Sequence, residues 1–263
     1  MRDDRTAPDT RAFYDALADD YHHVYADWER SIGRQAGALD ALIATRLGPG
    51  PHRILDCTCG IGTQSLGLAA LGHAVTGTDL SAAAIARARR ESVRRSLEIA
   101  WDVADVRTLP DRFESAFDVV FSGDNSLPHL LTQPDLERAA HSMITALRPG
   151  GLLLASIRDY DALLERKPPG TSPAFAGPPG ERRITFQLWE WEADGRTYTL
   201  EMFVLKEGPP ETWTVRTHRT RYRAITRAQL GATLAAAGIE DPTWIMPGDS
   251  GFFQPVVLGE RVA

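Results

Sequence analysis

Residues 54–63 read Ile-Leu-Asp-Cys-Thr-Cys-Gly-Ile-Gly-Thr. A short apolar run closes on Asp56 and passes directly into a turn bearing Gly60 and Gly62. A helix-like segment, Gln64 to Leu71, comes next, and a second apolar run, Ala74 to Thr78, ends on Asp79. Strand, glycine turn, helix, strand, acid is the order by which an open α/β sheet holds an adenosine-type cofactor. Glycines allow close backbone approach, and an acid at the end of the second strand can accept hydrogen bonds from ribose hydroxyls. Here the turn is Asp-x-x-x-Gly-x-Gly and not Gly-x-Gly-x-x-Gly. An acid ahead of the glycines repels a pyrophosphate but suits a ligand with a cationic amino-acid end.

Outward from this stretch, strands and helices alternate. Strands are expected at about 53–56, 74–79, 97–103, 117–122 and 152–157, with helices at about 62–71, 82–95 and 134–147. Such alternation implies a parallel sheet with right-handed crossovers. Ser81 reads as a helix cap, and Arg148-Pro149-Gly150-Gly151 as a helix stop. Upstream, apolar residues at helical spacing run from Phe13 through Leu47 to the breaker Gly48-Pro49-Gly50-Pro51. Downstream, the proline- and glycine-rich stretch 167–180 reads as a loop or lid edge, and Arg183 to Arg223 as a β-meander with a turn at Asp194-Gly195 and a break at Gly208-Pro209-Pro210. A helix at about 226–237, capped by Thr226, and a hairpin of strands at about 241–246 and 252–258 close the chain. The division is therefore 1–52 helical cover, 53–160 cofactor-binding core, 161–225 antiparallel insertion or lid, and 226–263 completing the core sheet.

The glycine turn resembles the Asp/Glu-x-Gly-x-Gly-x-Gly motif of class I S-adenosylmethionine (SAM)-dependent methyltransferases, with Thr58 where the first glycine stands. Two later stretches are similar to glycine and sarcosine N-methyltransferases. Ser122-Gly123-Asp124-Asn125-Ser126-Leu127-Pro128-His129-Leu130 resembles their Gly-Asn-Ser-x-x-His-Leu, and Ile157-Arg158-Asp159-Tyr160-Asp161 their Arg-Asn-Tyr-Asp. The resemblance covers most of residues 13–160 and implies an α/β fold: a Rossmann-like, seven-stranded class I sheet with an N-terminal helical cover and an antiparallel insertion. It implies SAM as cofactor, with Asp56, Gly60, Gly62, Asp79, Asp105 and Val106 around it. Asp105 falls where the family's carboxylate takes the adenine amino group; Asp56 either structures the glycine loop or salt-bridges outward. Arg158 falls where the family's arginine holds the acceptor's carboxylate.

The remaining site residues keep two readings each. Tyr14, Tyr21, Tyr25 and Trp28 read as a cover for the methyl donor or as a buried helix face. Tyr21 and His129 join Arg158 as catalytic candidates, and Tyr25, Trp28, Asn125, Ser126, Arg158 and Tyr160 as acceptor-binding ones. His129 reads equally as loop packing. Asp124 departs from a neutral family position, which suits a different or cationic substrate. Asp124, Asn125 and Asp159 do not form a clear oxygen cage, so no metal is expected.

Composition narrows the function classes. A formal charge of −6 argues against nucleic-acid binding, and the arginines at 87, 89, 90, 94 and 95 read as a solvated helix face. No apolar run reaches a membrane span, and the polar Met1–Arg11 is not a signal peptide. Cys57 and Cys59 are too close for a comfortable disulfide and lack zinc partners, which fits a reducing cytoplasm. The expected activity is methyl transfer from SAM to a small amine bearing a carboxylate. The alternatives are O- or C-methylation of a larger apolar acceptor, which Trp189, Trp191 and Trp213 would suit, and a SAM-binding protein without turnover. A homo-oligomer is compatible with the sequence.

Overall fold

The computed structural model describes residues 9–209 and 212–262. The N-terminal Met1–Pro8 and Pro210 of the expected break lie outside the described residues. A cover of α1 (Thr10–Leu17), a 3-10 turn (Tyr21–Val24) and α2 (Trp28–Leu47) precedes the alternating core. The core runs β1 (Arg53–Asp56), α3 (Thr63–Ala70), β2 (Ala74–Asp79), α4 (Ala82–Arg94), β3 (Ala100–Val103), β4 (Phe117–Ser122), α5 (Gln133–Ala146), β5 (Leu147–Ser156) and α6 (Tyr160–Arg166). Next come β6 (Ala174–Ala176), β7 (Arg183–Trp191), β8 (Thr197–Gly208) and β9 (Thr212–Arg223), then α7 (Arg227–Ala236), β10 (Ile239–Ile245), α8 (Pro247–Ser250) and β11 (Val256–Arg261).

Seven strands form one sheet in the order β10-β11-β5-β4-β1-β2-β3. The first five core strands are parallel, and β11 is antiparallel to both β5 and β10. The chain order reverses between β1 and β4, so their carboxyl ends flank the crevice where open α/β sheets bind ligands. Strand periodicity builds the core. Val119, Leu152 and Leu154 face Leu39, Leu42 and Ile43 of α2, whereas Val120, Leu153 and Ala155 face α5 and the second sheet.

That second sheet, β6-β7-β8-β9, is the expected meander with one more strand. Asp194 shapes its tight turn by accepting from the Arg196 and Thr197 amides (2.9 and 2.8 Å). Residues 167–180 do not line the cavities described below; within them Ala174–Ala176 pair with β7 as the short edge strand β6. The Thr171 amide donates to the Gln187 carbonyl of β7 (2.9 Å) and the Gly180 amide to Glu207 of β8 (2.8 Å). Of the arginine run on α4, Arg89, Arg90 and Arg94 are exposed as expected, and Arg87 and Arg95 turn inward. Arg87 and Arg95 lie over the Trp28 ring and bond Glu91, and despite burial these guanidinium groups pull the Glu91 carboxyl down to about 2.

The cover is pinned at its middle by a buried acid. Asp20 accepts from Lys206 of β8 and from Arg216 of β9 (2.9 Å). Burial opposes its charge, but the two cations hold its carboxyl below the usual range. Asp15 adds a tie to α4, accepting from the Ser81 hydroxyl at 2.5 Å. Asp20→Ala should cost about 1–3 kcal/mol, between the values for exposed and buried ion pairs. Amide exchange should speed up across residues 10–24 and stay unchanged in β1, β4 and β5. Unaltered exchange in the cover would show that it is anchored elsewhere.

Candidate functional site

The turn after β1 is held on both sides. The Cys57 amide donates to the Phe121 carbonyl of β4 and the Cys59 amide to the Thr78 carbonyl of β2, each at 2.9 Å. Gly60 and Gly62 take left-handed backbone angles, φ +53° and +89°, which non-glycine residues reach only with strain. A Cβ on Gly62 would also come within 2.9 Å of Trp101. Thr58, at the departing position, spans to β4: its hydroxyl lies 2.9 Å from Ser122 Oγ.

Asp79 closes the turn from the neighbouring strand. Its Oδ2 accepts from the Gly60 amide (2.9 Å) and its Oδ1 from the Ser81 amide (2.8 Å). A cavity opens over this point. Its wall carries Thr58, Cys59, Gly60 and Asp79 at one side, Leu80, Asp105, Val106 and Arg107 at the far side, and Tyr14, Tyr21 and Tyr25 from the cover. Gly60, Asp79, Asp105 and Val106 thus line one cavity, as the sequence expects. The Asp105 carboxylate is already engaged: it accepts from the Arg107 amide (2.9 Å) and, on both oxygens, from the Arg107 guanidinium (2.6–3.1 Å), so a further donor would have to share it. Sequence reasoning missed Arg107, which clamps the nearby Asp105 and reaches Asp135 through a tertiary contact.

Asp56 and Gly62 do not line this cavity. Gly62 starts α3, and Asp56 lies buried beneath the turn, accepting from Ser65 Oγ at 2.6 Å. Burial pushes its carboxyl up to about 7. It braces the turn from beneath, one of the two roles left open for it.

A second cavity meets the first at Tyr14, Tyr21, Tyr25 and Asp124, which line both. Leu17, Val24, Leu200, Met202 and Phe253 give it an apolar wall, and Arg158 and Gln187 a polar one. The Arg158 guanidinium donates to Tyr198 Oη (2.8 Å) and Gln187 Oε1 (3.1 Å). It stacks 4.9 Å over Trp189 and 5.3 Å over Tyr222. Burial works against the charge, but the phenols of Tyr198, Tyr160 and Tyr222 outweigh it and hold the proton on more firmly. These partners lie far along the chain, in the meander, and carry no local signal in the sequence.

Four assignments change. Trp28 is buried among Ile32, Ile61 and Leu66 and donates to Thr63 Oγ1 (2.8 Å), away from the second cavity. Its ring fills a core gap between α2, α3 and α4. Asn125 is buried and accepts from the Arg158 amide (3.0 Å), so it sets the backbone of the two loops. Ser126 lines the first cavity, not the second. Tyr160 is fully buried behind Arg158, its hydroxyl 3.0 Å from that of Tyr198.

His129 lines the first cavity, with Nε2 2.8 Å from Tyr14 Oη and its ring tilted against Tyr222, centroids 4.1 Å apart. Burial, aided by the charge on Arg158, depresses the imidazole to about 3. That is too weak a base to hold a proton taken from an amine. The geometry instead makes His129 a neutral partner that orients the Tyr14 hydroxyl. Among the described residues no three His, Cys, Asp or Glu side chains converge as a metal cage, and no helix is long and apolar enough to cross a membrane.

Comparison with known proteins gives this geometry its family. A methyltransferase-domain family model matches residues 54–151. The glycine/sarcosine N-methyltransferase of Parasynechococcus marenigrum is 28% identical over 215 residues, 77% of this chain and 76% of that protein. The glycine N-methyltransferase of Rattus norvegicus is 34% identical over 134 residues, 46% of either chain. Among solved structures, Streptomyces venezuelae DesVI superposes with a TM-score of 0.78 at 19% identity, covering 94% of this chain and 98% of that one. SAM-bound CalS10, an amino pentose methyltransferase from Micromonospora echinaspora, gives 0.75 at 20% identity, covering 94% and 97%. The likeness to these two concerns the fold. The chain is a class I SAM-dependent methyltransferase, an enzyme that uses SAM to methylate a small molecule.

Asp79→Ala should weaken S-adenosylhomocysteine binding by about 1–3 kcal/mol, the worth of charge-assisted hydrogen bonds. Unchanged affinity by calorimetry in a folded variant would remove Asp79 from the cofactor site. His129 should stay neutral at pH 5.5, which nitrogen-15 NMR of the imidazole reads directly. A protonated ring there would contradict its placement as a neutral partner of Tyr14.

Proposed function

We propose that the methyl acceptor is a small amine bearing a carboxylate, methylated on nitrogen. One observation carries this reading. Arg158 is a part-buried guanidinium in the wall of the second cavity, and among the described residues no carboxylate pairs with it. A buried charge without a counter-ion is costly, and a substrate carboxylate would remove that cost. The guanidinium has five N–H donors and uses two of these on Tyr198 and Gln187, so three remain for a carboxylate. The glycine/sarcosine N-methyltransferases among its relatives support the same substrate class.

The two cavities then divide the work. Gly60, Asp79, Asp105 and Val106 would hold SAM, which supplies a methyl group made electrophilic by its sulfonium. Arg158 would fix the acceptor's carboxylate, turning the amine toward the junction at Tyr14, Tyr21 and Tyr25. Orientation and the exclusion of water are the main protein contributions to such a transfer. The cover provides the second, since its three phenols close the cavity that the open sheet edge leaves exposed. No covalent nucleophile is required.

The apolar wall of Leu17, Val24, Leu200, Met202 and Phe253 favours a second reading, a larger amine such as an amino sugar. There, substrate hydroxyls would take the place of the carboxylate on Arg158 and Gln187. The fold likeness to CalS10, an amino pentose methyltransferase, is consistent with it.

Arg158→Lys keeps the charge and loses the planar fork. It should raise the acceptor KM about 10–100-fold, the loss of one or two charge-assisted hydrogen bonds, and leave SAM affinity nearly unchanged. Wild-type acceptor kinetics in this variant would reduce Arg158 to a structural role.

A further inference from the structure

Asp124 is held in place by strained backbone. It and Asn125 take consecutive left-handed conformations, φ +51° and +66°, which are unusual for residues bearing a side chain. The Asp124 amide donates to Ser156 Oγ (2.9 Å), that hydroxyl donates to Gln254 Oε1 (3.0 Å), and the Asn125 amide donates to the Ser156 carbonyl (3.2 Å). The result is a carboxylate lining the cofactor cavity, the acceptor cavity and a third, outer cavity bounded by Arg158, Asp159, Met246 and Phe253. Of the residues bordering these three spaces, Asp124 is the one common to all.

Its two oxygens differ. Oδ2 accepts from Tyr21 Oη (3.0 Å) and Tyr25 Oη (2.9 Å). Oδ1 receives no hydrogen bond among the described residues. Arg158 borders two of the same cavities but makes no ion pair with Asp124, so the carboxylate and the guanidinium are separated by space a substrate can occupy.

We propose that Asp124 receives the acceptor as its ammonium ion at Oδ1 and takes one proton from it, acting as the general base of the reaction. This rests on the amine reading above and adds the residue that makes the amine nucleophilic. The ammonium N–H bond breaks, its proton passes to Oδ1, and nitrogen keeps the electron pair. That pair forms the bond to the methyl carbon as the carbon–sulfur bond breaks and sulfur retains its electrons. The methylated amine leaves as an ammonium ion, and the proton on Asp124 leaves to solvent through the outer cavity. Burial assists: it outweighs the phenol hydrogen bonds and raises the carboxyl above its ordinary range, narrowing the gap to an ammonium.

Tyr21 and Tyr25 of the cover, Tyr14 on α1, Tyr222 on β9, and Arg158 and Asp159 after β5 share cavities with Asp124, as do Arg34 of α2 in the second cavity and His129, Asp79, Asp105 and Arg107 in the first. Burial raises all four phenols, and Arg158 stays charged. None of these five changes charge near neutrality, and Asp159 is bonded to Arg227 at 2.6 Å.

Two fragments separate the ends of the acceptor cavity: methylammonium for Asp124 and acetate for Arg158. Each is titrated by NMR into protein saturated with S-adenosylhomocysteine. Methylammonium should bind wild type and Arg158→Lys alike, and at least ~10-fold more weakly to Asp124→Asn, through loss of a charge-assisted hydrogen bond. Acetate should lose affinity in Arg158→Lys and not in Asp124→Asn. Asn tolerates the left-handed backbone, and Asp124→Ser serves as a second neutral variant if Asp124→Asn no longer binds S-adenosylhomocysteine. Absent or equal methylammonium binding in wild type and variant overturns the proposal. Acetate insensitive to Arg158→Lys, with methylammonium weakened only by Asp124→Asn, overturns the carboxylate reading alone. On an amine that turns over, Asp124→Asn should lower kcat/KM at pH 7 by about 10²–10⁴-fold, the usual worth of a general base. Its rate should then climb tenfold per pH unit toward the pKa of the amine, because only neutral amine reacts. A pH profile parallel to wild type would contradict the base role.

Discussion

The phenols of Tyr21 and Tyr25 converge on a single oxygen of Asp124, at 3.0 and 2.9 Å. The rest of the site depends on that convergence. It joins the N-terminal cover to the end of β4, closes the cofactor cavity over the glycine turn, and marks the boundary with the acceptor cavity. A methyl transfer needs a lone pair, a carbon and a leaving sulfur in line, with water absent. A sheet edge alone provides neither the enclosure nor the second wall. The cover provides both because Asp20 fixes it to β8 and β9 while Asp15 fixes it to α4.

Placing Asp124 and Arg158 in one enclosed space carries an energetic cost. Each is a charge withdrawn from water, and they do not neutralise each other by contact. The left-handed backbone at Asp124 and Asn125 adds a further, smaller cost, since Asp and Asn are the side chains that tolerate it best. A sequence selected for stability alone would not keep this combination, whereas a zwitterionic substrate would satisfy both ends. The aromatic floor of Trp189, Tyr198 and Tyr222 makes the arrangement tolerable by stacking on the guanidinium and bonding it.

The elements visible in the sequence are those whose causes are local. Gly60 and Gly62 announce the turn, Asp79 ends its own strand, and the alternation of apolar runs gives the parallel core. The closing hairpin is visible too, though β11 begins at Val256, several residues later than its apolar run, because Pro247–Ser250 forms a short helix first. The site residues depend on tertiary partners and are legible only in part. Tyr14, Tyr21 and Tyr25 share the helical spacing of Trp28, and spacing cannot tell which rings face a cavity and which fill a core. Asn125 and Ser126 are adjacent, yet a left-handed backbone sends one into the protein and the other to the cofactor cavity. His129 resembles a base by residue type, and burial makes it a poor one. Gln187 and Tyr198 lie in the meander, where no local pattern separates a strand residue facing Arg158 from one facing solvent.

The central claim is that this enzyme methylates the nitrogen of a small amine that also carries an acid. Incubating the enzyme with SAM labelled in its methyl group tests it most directly, using amino acids, their amides, amino sugars and phenols in parallel and locating the label by mass spectrometry. The account predicts label on nitrogen, in amines bearing a carboxylate, and little in the matched amides. Label on a phenolic oxygen or on carbon, or equal labelling of acid and amide, would contradict it.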